Sequence, residues 1–214
     1  MTTSEYQHRA HPAARPGEPL LFLFHGTGGD ENQFFDLGEK LLPGAGVVAP
    51  RGDVLEYGAA RFFRRTGEGV YDMDDLARAT AKMARFVRAH AQAAQPSAVF
   101  GLGYSNGANI LASVVFAEPG LFDAAVLMHP LIPFEPTISG DLAHKRFLIT
   151  AGRHDPICPP EMTERLKSCL EAAKAEVTLE WHEGGHEVRP GEIAAARAFL
   201  AFCPARAADT ERNR

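Results

Sequence analysis

Residues 98–116 read AVFGLGYSNGANILASVVF. The stretch falls into three parts. Ala98–Leu102 is a short apolar run behind Pro96, the pattern of a strand buried on both faces. Ile110, Leu111, Val114 and Val115 recur at helical spacing, and the predicted helix over 106–118 stops before Pro119-Gly120. Between them, Gly103-Tyr104-Ser105-Asn106-Gly107 fits G-x-S-x-G. In a chain with 20 glycines that pattern alone carries little weight. Its setting gives it meaning. A strand-to-helix turn this tight leaves no room for large side chains beside the serine, and it points the first helical N–H groups at any negative charge forming there. Ala108 adds a small residue where the helix approaches the sheet. A glycine-rich turn holding an incidental serine is the competing reading.

The same alternation extends in both directions. Apolar runs at Leu20–Phe24, Val47–Ala49, Ala124–Met128, Phe147–Thr150 and Val177–Trp181 are bounded by Gly and Pro and predict further buried strands. Helices are predicted over 74–92, 160–174 and 191–203. In the first, Leu76, Ala79, Met83, Phe86, Val87 and His90 form one stripe, and Asp72, Asp74 and Asp75 sit where a helix N-terminus favours negative charge. Strand–helix alternation predicts an α/β fold: a mostly parallel central sheet with helices on both faces. Ligands then bind beyond the C-terminal ends of the strands. The long connection from Gly52 to Val70, with its Arg61-Phe62-Phe63-Arg64-Arg65 segment, is read as an ordered functional loop.

A serine nucleophile needs a base, and the base an orienting carboxylate. On a sheet of this type the chain order is Ser, then Asp or Glu, then His. Asp123 precedes a strand, Asp141 leads into one and Asp209 lies near the end of the chain, which leaves Asp155 in Gly152-Arg153-His154-Asp155-Pro156. Only His182 and His186 follow it. His182 ends a strand, whereas His186 stands in Gly184-Gly185-His186-Glu187, able to cross the strand tops. His182 to His186 also matches H-E-x-x-H. That zinc motif requires a helix, and two central glycines cost a helix about 2 kcal/mol. No metal is therefore expected; His25, His129 and His154 also lie at strand ends, but their spacing gives a metal site no support.

His25-Gly26-Thr27-Gly28-Gly29-Asp30 follows the first long strand. Glycines there let main-chain N–H groups face a ligand, and the N–H groups of Thr27 and Asn106 are the expected oxyanion donors. The loop also suits phosphate, but it lacks the P-loop lysine and the full dinucleotide fingerprint.

Bulk properties narrow the setting. With 214 residues and 45% hydrophobic content, a single domain over 1–204 with a polar tail over 205–214 is expected. A net charge of −5 argues against nucleic-acid binding. Met1–Ala10 lacks the apolar core of a signal peptide, and no run reaches the roughly 18 apolar residues of a membrane span. Three scattered cysteines read as reduced thiols, so a cytoplasmic location is expected.

Taken in order, HGTGGDE, PRGD, GYSNGA, GRHDPICP and GGHE resemble the carboxylesterase/phospholipase family of α/β-hydrolases over nearly the whole chain, from about Leu20 to Phe202. That family includes small bacterial carboxylesterases, lysophospholipases and acyl-protein thioesterases. The resemblance implies an α/β-hydrolase fold without a large lid. It also implies a serine esterase with Ser105, Asp155 and His186 as triad, and Thr27 and Asn106 at the oxyanion positions. It further implies no metal or organic cofactor, and it makes homodimers plausible. The RFFRR segment and GTGG loop look most like a bacterial branch sometimes linked to quinone or electrophile stress. The thioesterases typically have one glycine fewer in the first loop and glutamine where this chain has Asn106, which weakens a carry-over of their substrates. A dienelactone-hydrolase-like enzyme is a third possibility; it would normally carry cysteine at the elbow, where this chain has Ser105.

The expected function is cleavage of short-chain or small aryl and alkyl carboxylic esters. Lysophospholipase or acyl thioesterase activity is the alternative within the class, and a non-catalytic ligand receptor on the same fold the alternative outside it. Phe62, Phe63 and Ile157 are candidates for an acyl pocket and Arg64 for an anion contact. The competing reading makes the phenylalanines core and the arginines a solvated rim.

Overall fold

A computed structural model describes residues 5–203; the tail expected at 205–214 lies outside them. Six strands, β2 (Leu20–Phe24), β3 (Gly46–Pro50), β8 (Val99–Tyr104), β9 (Ala124–Met128), β10 (Arg146–Gly152) and β11 (Glu176–His182), run parallel. A seventh, β1 (His8–His11), pairs antiparallel with β3, giving the order β1-β3-β2-β8-β9-β10-β11. From β2 the chain adds β3 on one side and β8 on the other, so the order reverses between β2 and β8. A crevice opens at such a switch point, beyond the C-terminal ends of the two strands. The HGTGG loop and the GYSNG turn flank it.

Helices cover both faces, as predicted. On one face α2 (Met73–Ala94), α3 (Asn106–Ala117) and α4 (Pro160–Ala172) bury Met83, Phe86, Ile110, Val114, Leu166 and Leu170 against Phe22, Phe24, Leu127 and Ile149. On the other, α1 (Phe35–Leu41) and α5 (Pro190–Ala201) bury Leu41, Ala196 and Leu200 against Leu23, Phe100, Val126 and Leu148. Each fully buried Phe or Leu contributes roughly 1.5–3 kcal/mol of transfer free energy. Asp72 caps α2 by accepting the Asp75 N–H at 3.0 Å, as its position in the sequence implies. No described helix is long and apolar enough to cross a membrane.

The structure departs from the sequence reading at four places. Val177–Trp181 was expected to be buried on both faces, but β11 is an edge strand whose exposure alternates. Strand β1 is polar (HRAH) and is held by backbone pairing rather than by an apolar pattern. Helix α1 spans seven residues, of which only Gly38 and Leu41 are buried, too few for a periodic signal. The 52–70 connection contains two hairpins, β4 (Val54–Glu56) with β5 (Ala59–Arg61) and β6 (Arg65–Gly67) with β7 (Val70–Tyr71). Tyr57 (φ 50°) and Gly58 (φ 85°) form the first hairpin's turn, where two positive φ values match the strand twist.

Candidate active site

Ser105 stands at the end of β8 with φ 52° and ψ −117°, a conformation that costs a non-glycine residue on the order of 1–3 kcal/mol. The flanking glycines have a steric reason. A Cβ at Gly103 would lie 2.5 Å from the Gly107 carbonyl oxygen, and one at Gly107 would overlap the Phe24 carbonyl at the end of β2. The Ser105 N–H donates to Met128 O (2.9 Å), tying the elbow to β9.

The structure brings Asp155 and His186 to this serine. Their loops, after β10 and β11, are joined by Arg153 N–H to His182 O and His154 N–H to Gly184 O, both 2.9 Å. A Cβ at Gly152 would overlap the carbonyl oxygens of Gly184 and Gly185, so the bare backbone of β10 lets the histidine loop pass. His186 Nδ1 lies 2.7 Å from Asp155 Oδ2, and Nε2 lies 2.9 Å from Ser105 Oγ. A proton on Nδ1 leaves the Nε2 lone pair facing the hydroxyl. Tyr104, the variable residue of the elbow, donates its hydroxyl to His186 O (2.7 Å) and packs its ring against the imidazole.

Asp155 is buried, and burial alone would raise its carboxyl. Hydrogen bonds from His129, His186 and the N–H groups of Cys158 and Ile157 outweigh that and hold it well below the usual carboxylate range.

A second layer lies beneath. His129, in a left-handed conformation after β9 (φ 50°), is wholly buried. Its Nδ1 lies 2.9 Å from Asp155 Oδ2 and its Nε2 3.1 Å from Glu192 Oε1. Burial pushes this imidazole down, but the two carboxylates lift it to about 9. Glu192 also accepts from the Thr150 hydroxyl (2.6 Å) and the Arg189 N–H (2.7 Å), and His182 Nε2 lies 3.3 Å from its Oε2. Burial alone would raise Glu192, but the bonds from His129, Thr150 and the Arg189 N–H hold it below its ordinary value.

Among the described residues, His129, Asp155 and His186, and likewise His129, His182 and Glu192, present atoms close enough to share a metal ion. The second set is spaced at 3.1–3.4 Å. However, His182 Nδ1 accepts the Gly184 N–H (3.0 Å), so its Nε2 carries the proton and has no lone pair to offer a cation. The H-E-x-x-H residues lie on no helix, and His182 and His186 face different partners.

On the other side of Ser105, His25 is neutral by its bonding: Nδ1 donates to Gly26 O (2.7 Å) and Nε2 accepts the Gly52 N–H (2.8 Å). Burial lowers its pKa. The hairpin segment fastens both expected oxyanion residues. Arg61 Nη1 donates to Thr27 Oγ1 (2.8 Å), and the Phe62 N–H donates to Asn106 Oδ1 (2.8 Å). As the first residue of α3, Asn106 has no helical acceptor for its own N–H.

A cavity of about 290 Å³ opens between these groups, lined by Thr27, Arg61, Arg65, Tyr71, Asn109, Leu131 and Ile157 beside Ser105 and His186. Ile157 lines it as expected. Phe62 and Phe63 do not: both are wholly buried, Phe62 against Phe24 and Phe63 against Tyr71. Arg64 also lies outside the cavity and pairs with Asp72 and Asp75. Arg61 and Arg65, both bonded to Glu56, take the place on the wall considered for Arg64. A larger hollow of about 570 Å³ lies at the opposite, N-terminal ends of β2 and β3, far from Ser105.

Sequence reading did not assign Tyr104, His129, Arg61 or Glu192. His129 and Arg61 stood at notable positions, after a strand and in a dense basic segment. Glu192 carries no sequence signal beyond an acidic residue in a first helical turn.

A mostly parallel sheet with a serine elbow after β8, an aspartate after β10 and a histidine after β11 defines an α/β-hydrolase. The chain belongs to the dienelactone hydrolase family, whose profile matches residues 10–188. It does so with serine rather than cysteine at the elbow. It is 38% identical over 182 residues to the putative hydrolase MhqD of Bacillus subtilis (strain 168), covering 84% of this chain and 91% of that one. Among solved structures it is similar to the protein Atu2452 of unknown function from Agrobacterium tumefaciens str. C58 (TM-score 0.90, 59% identity, 95% and 100% of the two chains). It is similar also to the Bacillus cereus carboxylesterase (TM-score 0.89, 37% identity, 94% and 95%). The protein is a hydrolase of the esterase type.

Proposed function

We propose that the protein hydrolyses small carboxylic esters through an acyl-enzyme intermediate on Ser105. The unbroken chain from Ser105 Oγ through His186 to Asp155, at 2.9 and 2.7 Å, carries this reading. His186 Nε2 takes the hydroxyl proton as Oγ attacks the ester carbonyl. Asp155 holds the productive tautomer and stabilises the imidazolium. The N–H groups of Thr27 and Asn106 receive the developing oxyanion. His186 returns its proton to the leaving alcohol, and water activated by the same ring then releases the acid.

The small cavity, at the lower end of ligand-pocket volumes, and its arginine, tyrosine and asparagine walls favour short, polar esters over long acyl chains. The similarity to the Bacillus cereus carboxylesterase supports the same class. The test is hydrolysis of p-nitrophenyl esters from acetate to palmitate by the wild type and by Ser105→Ala. Turnover on the short esters, reduced by at least about 10⁴-fold in the variant, is expected. Equal rates in both proteins would remove the assignment.

A further inference from the structure

Resting on the assignment of Ser105, His186 and Asp155 above, we propose that His129 is a positioning residue for the reaction. Held as an imidazolium between Asp155 and Glu192, it fixes the Asp155 carboxylate that orients His186. Asp155 Oδ2 receives both His186 Nδ1 and His129 Nδ1, while Oδ1 receives the N–H groups of Ile157 and Cys158. Four donors leave the carboxylate no free rotation.

Both ring nitrogens of His129 face carboxylate oxygens. His182 Nε2–H lies 3.4 Å from His129 Nε2, but it has Glu192 Oε2 at 3.3 Å as its own acceptor, so the nearest partner of each His129 nitrogen is a carboxylate oxygen; a neutral ring would set a lone pair against one of two buried anions, and the geometry calls for a proton on each nitrogen. The upward shift of this imidazole agrees.

Every element packed on the His129 ring presents a polar group to it. Asp155 and His186 come from the loops after β10 and β11, Glu192 from α5, His182 from the end of β11 and Tyr104 from the end of β8. Cys158 donates its thiol to His129 O, and burial pushes that thiol up, keeping it protonated. Asp155 and Glu192 are the anions of this set.

The consequence falls on His186. Its ring centroid lies 5.2 Å from that of His129. Both rings share Asp155 Oδ2, so any shift of that oxygen on loss of His129 passes directly to His186 Nδ1 and from there to the 2.9 Å contact with Ser105 Oγ. Glu192 holds the other nitrogen of His129 from the far side.

The experiment has two parts. In ¹⁵N-histidine-labelled wild type at pH 7.5, both nitrogens of one ring, assigned to His129 through its loss in His129→Asn, are expected to show imidazolium shifts. A neutral His129 overturns the proposal, as does stoichiometric zinc retained after dialysis, because zinc on Nε2 displaces the proton. In the second part, kcat and KM for p-nitrophenyl acetate are read separately at pH 7.5. His129→Asn is expected to lower kcat by roughly 10- to 100-fold with KM unchanged, because the cavity wall at Arg61, Tyr71 and Asn109 belongs to other elements, and Glu192→Gln is expected to lower kcat in the same sense but less. Unchanged kcat in both variants, or a loss shared by KM, overturns the proposal. Fluorophosphonate labelling separates this from the assignment beneath it. Wild type that is not labelled at Ser105 defeats both, whereas labelled wild type with kcat unchanged in His129→Asn defeats only the role of His129.

Discussion

Gly152→Ala tests how closely the histidine loop depends on the bare backbone of β10. The added Cβ would overlap the Gly184 and Gly185 carbonyl oxygens and lie 2.9 Å from the Gly184 carbonyl carbon. Ordinary contact between such atoms is about 3.5 Å or more, so the 184–186 loop must retreat by about 1 Å. His186 Nε2 then moves from 2.9 Å to about 3.9 Å from Ser105 Oγ, beyond hydrogen-bonding range. A misplacement of that size costs about 100-fold in kcat, equivalent to about 2.7 kcal/mol in the barrier. KM is expected to hold, because the cavity wall at Arg61, Tyr71 and Asn109 belongs to other elements. Steady-state hydrolysis of p-nitrophenyl acetate reads both constants, and circular dichroism verifies the fold. Gly191→Ala is the control: a Cβ there meets nothing within 4 Å, so neither constant is expected to change. A folded Gly152→Ala enzyme with kcat within threefold of wild type would refute the reasoning.

Further outcomes follow from other parts of the site. Ser105→Gly relieves the positive φ at the elbow and is expected to raise stability to urea by about 1 kcal/mol while abolishing turnover; a drop in stability would contradict the strain reading. Asn106→Ala leaves the buried Phe62 N–H without its acceptor, at about 1–3 kcal/mol in stability and with a loss in kcat, both measurable on one preparation. The His129 imidazole is raised in the folded state, so its contribution is fully present below about pH 6.5 and is lost as pH rises through about 9. Denaturant unfolding is therefore expected to weaken by on the order of 3 kcal/mol between pH 7 and 10, and a flat profile would count against a charged His129. Asp155 and Glu192 are depressed, so their contributions are present above about pH 4 and lost on acidification.

The elements legible in the sequence are those whose burial writes a pattern. Leu20–Phe24, Val99–Tyr104 and Ala124–Met128 are buried nearly throughout, and they read as uninterrupted apolar runs. That Ser105, Asp155 and His186 come together was legible because chain order and strand ends restrict where such residues can stand on a parallel sheet. Strand β1 and the 52–71 hairpins escaped notice because backbone pairing and turn geometry define them, over two to four residues each. Phe63 and Arg64 were misplaced for a related reason. Within a three-residue strand or its flank, a one-residue change of phase exchanges inside for outside. The Asp155–His129–Glu192 relay joins residues 26 and 63 positions apart through side chains alone, and nothing local in the sequence announces it.

Ser105 and His186 are separated by 81 residues, and the histidine arrives after the last strand of the sheet. During synthesis the elbow and the loop after β2 emerge long before that ring. At about 5–20 residues per second, His186 is translated on the order of 4–16 s after Ser105. Under the proposed mechanism a nascent chain ending before His186 holds a serine of ordinary reactivity, and the onset of hydrolysis is expected to mark completion of the sheet through β11. Turnover in a translation reaction accordingly serves as a clock for the last stage of folding, the stage that also lays α5 on its face of the sheet.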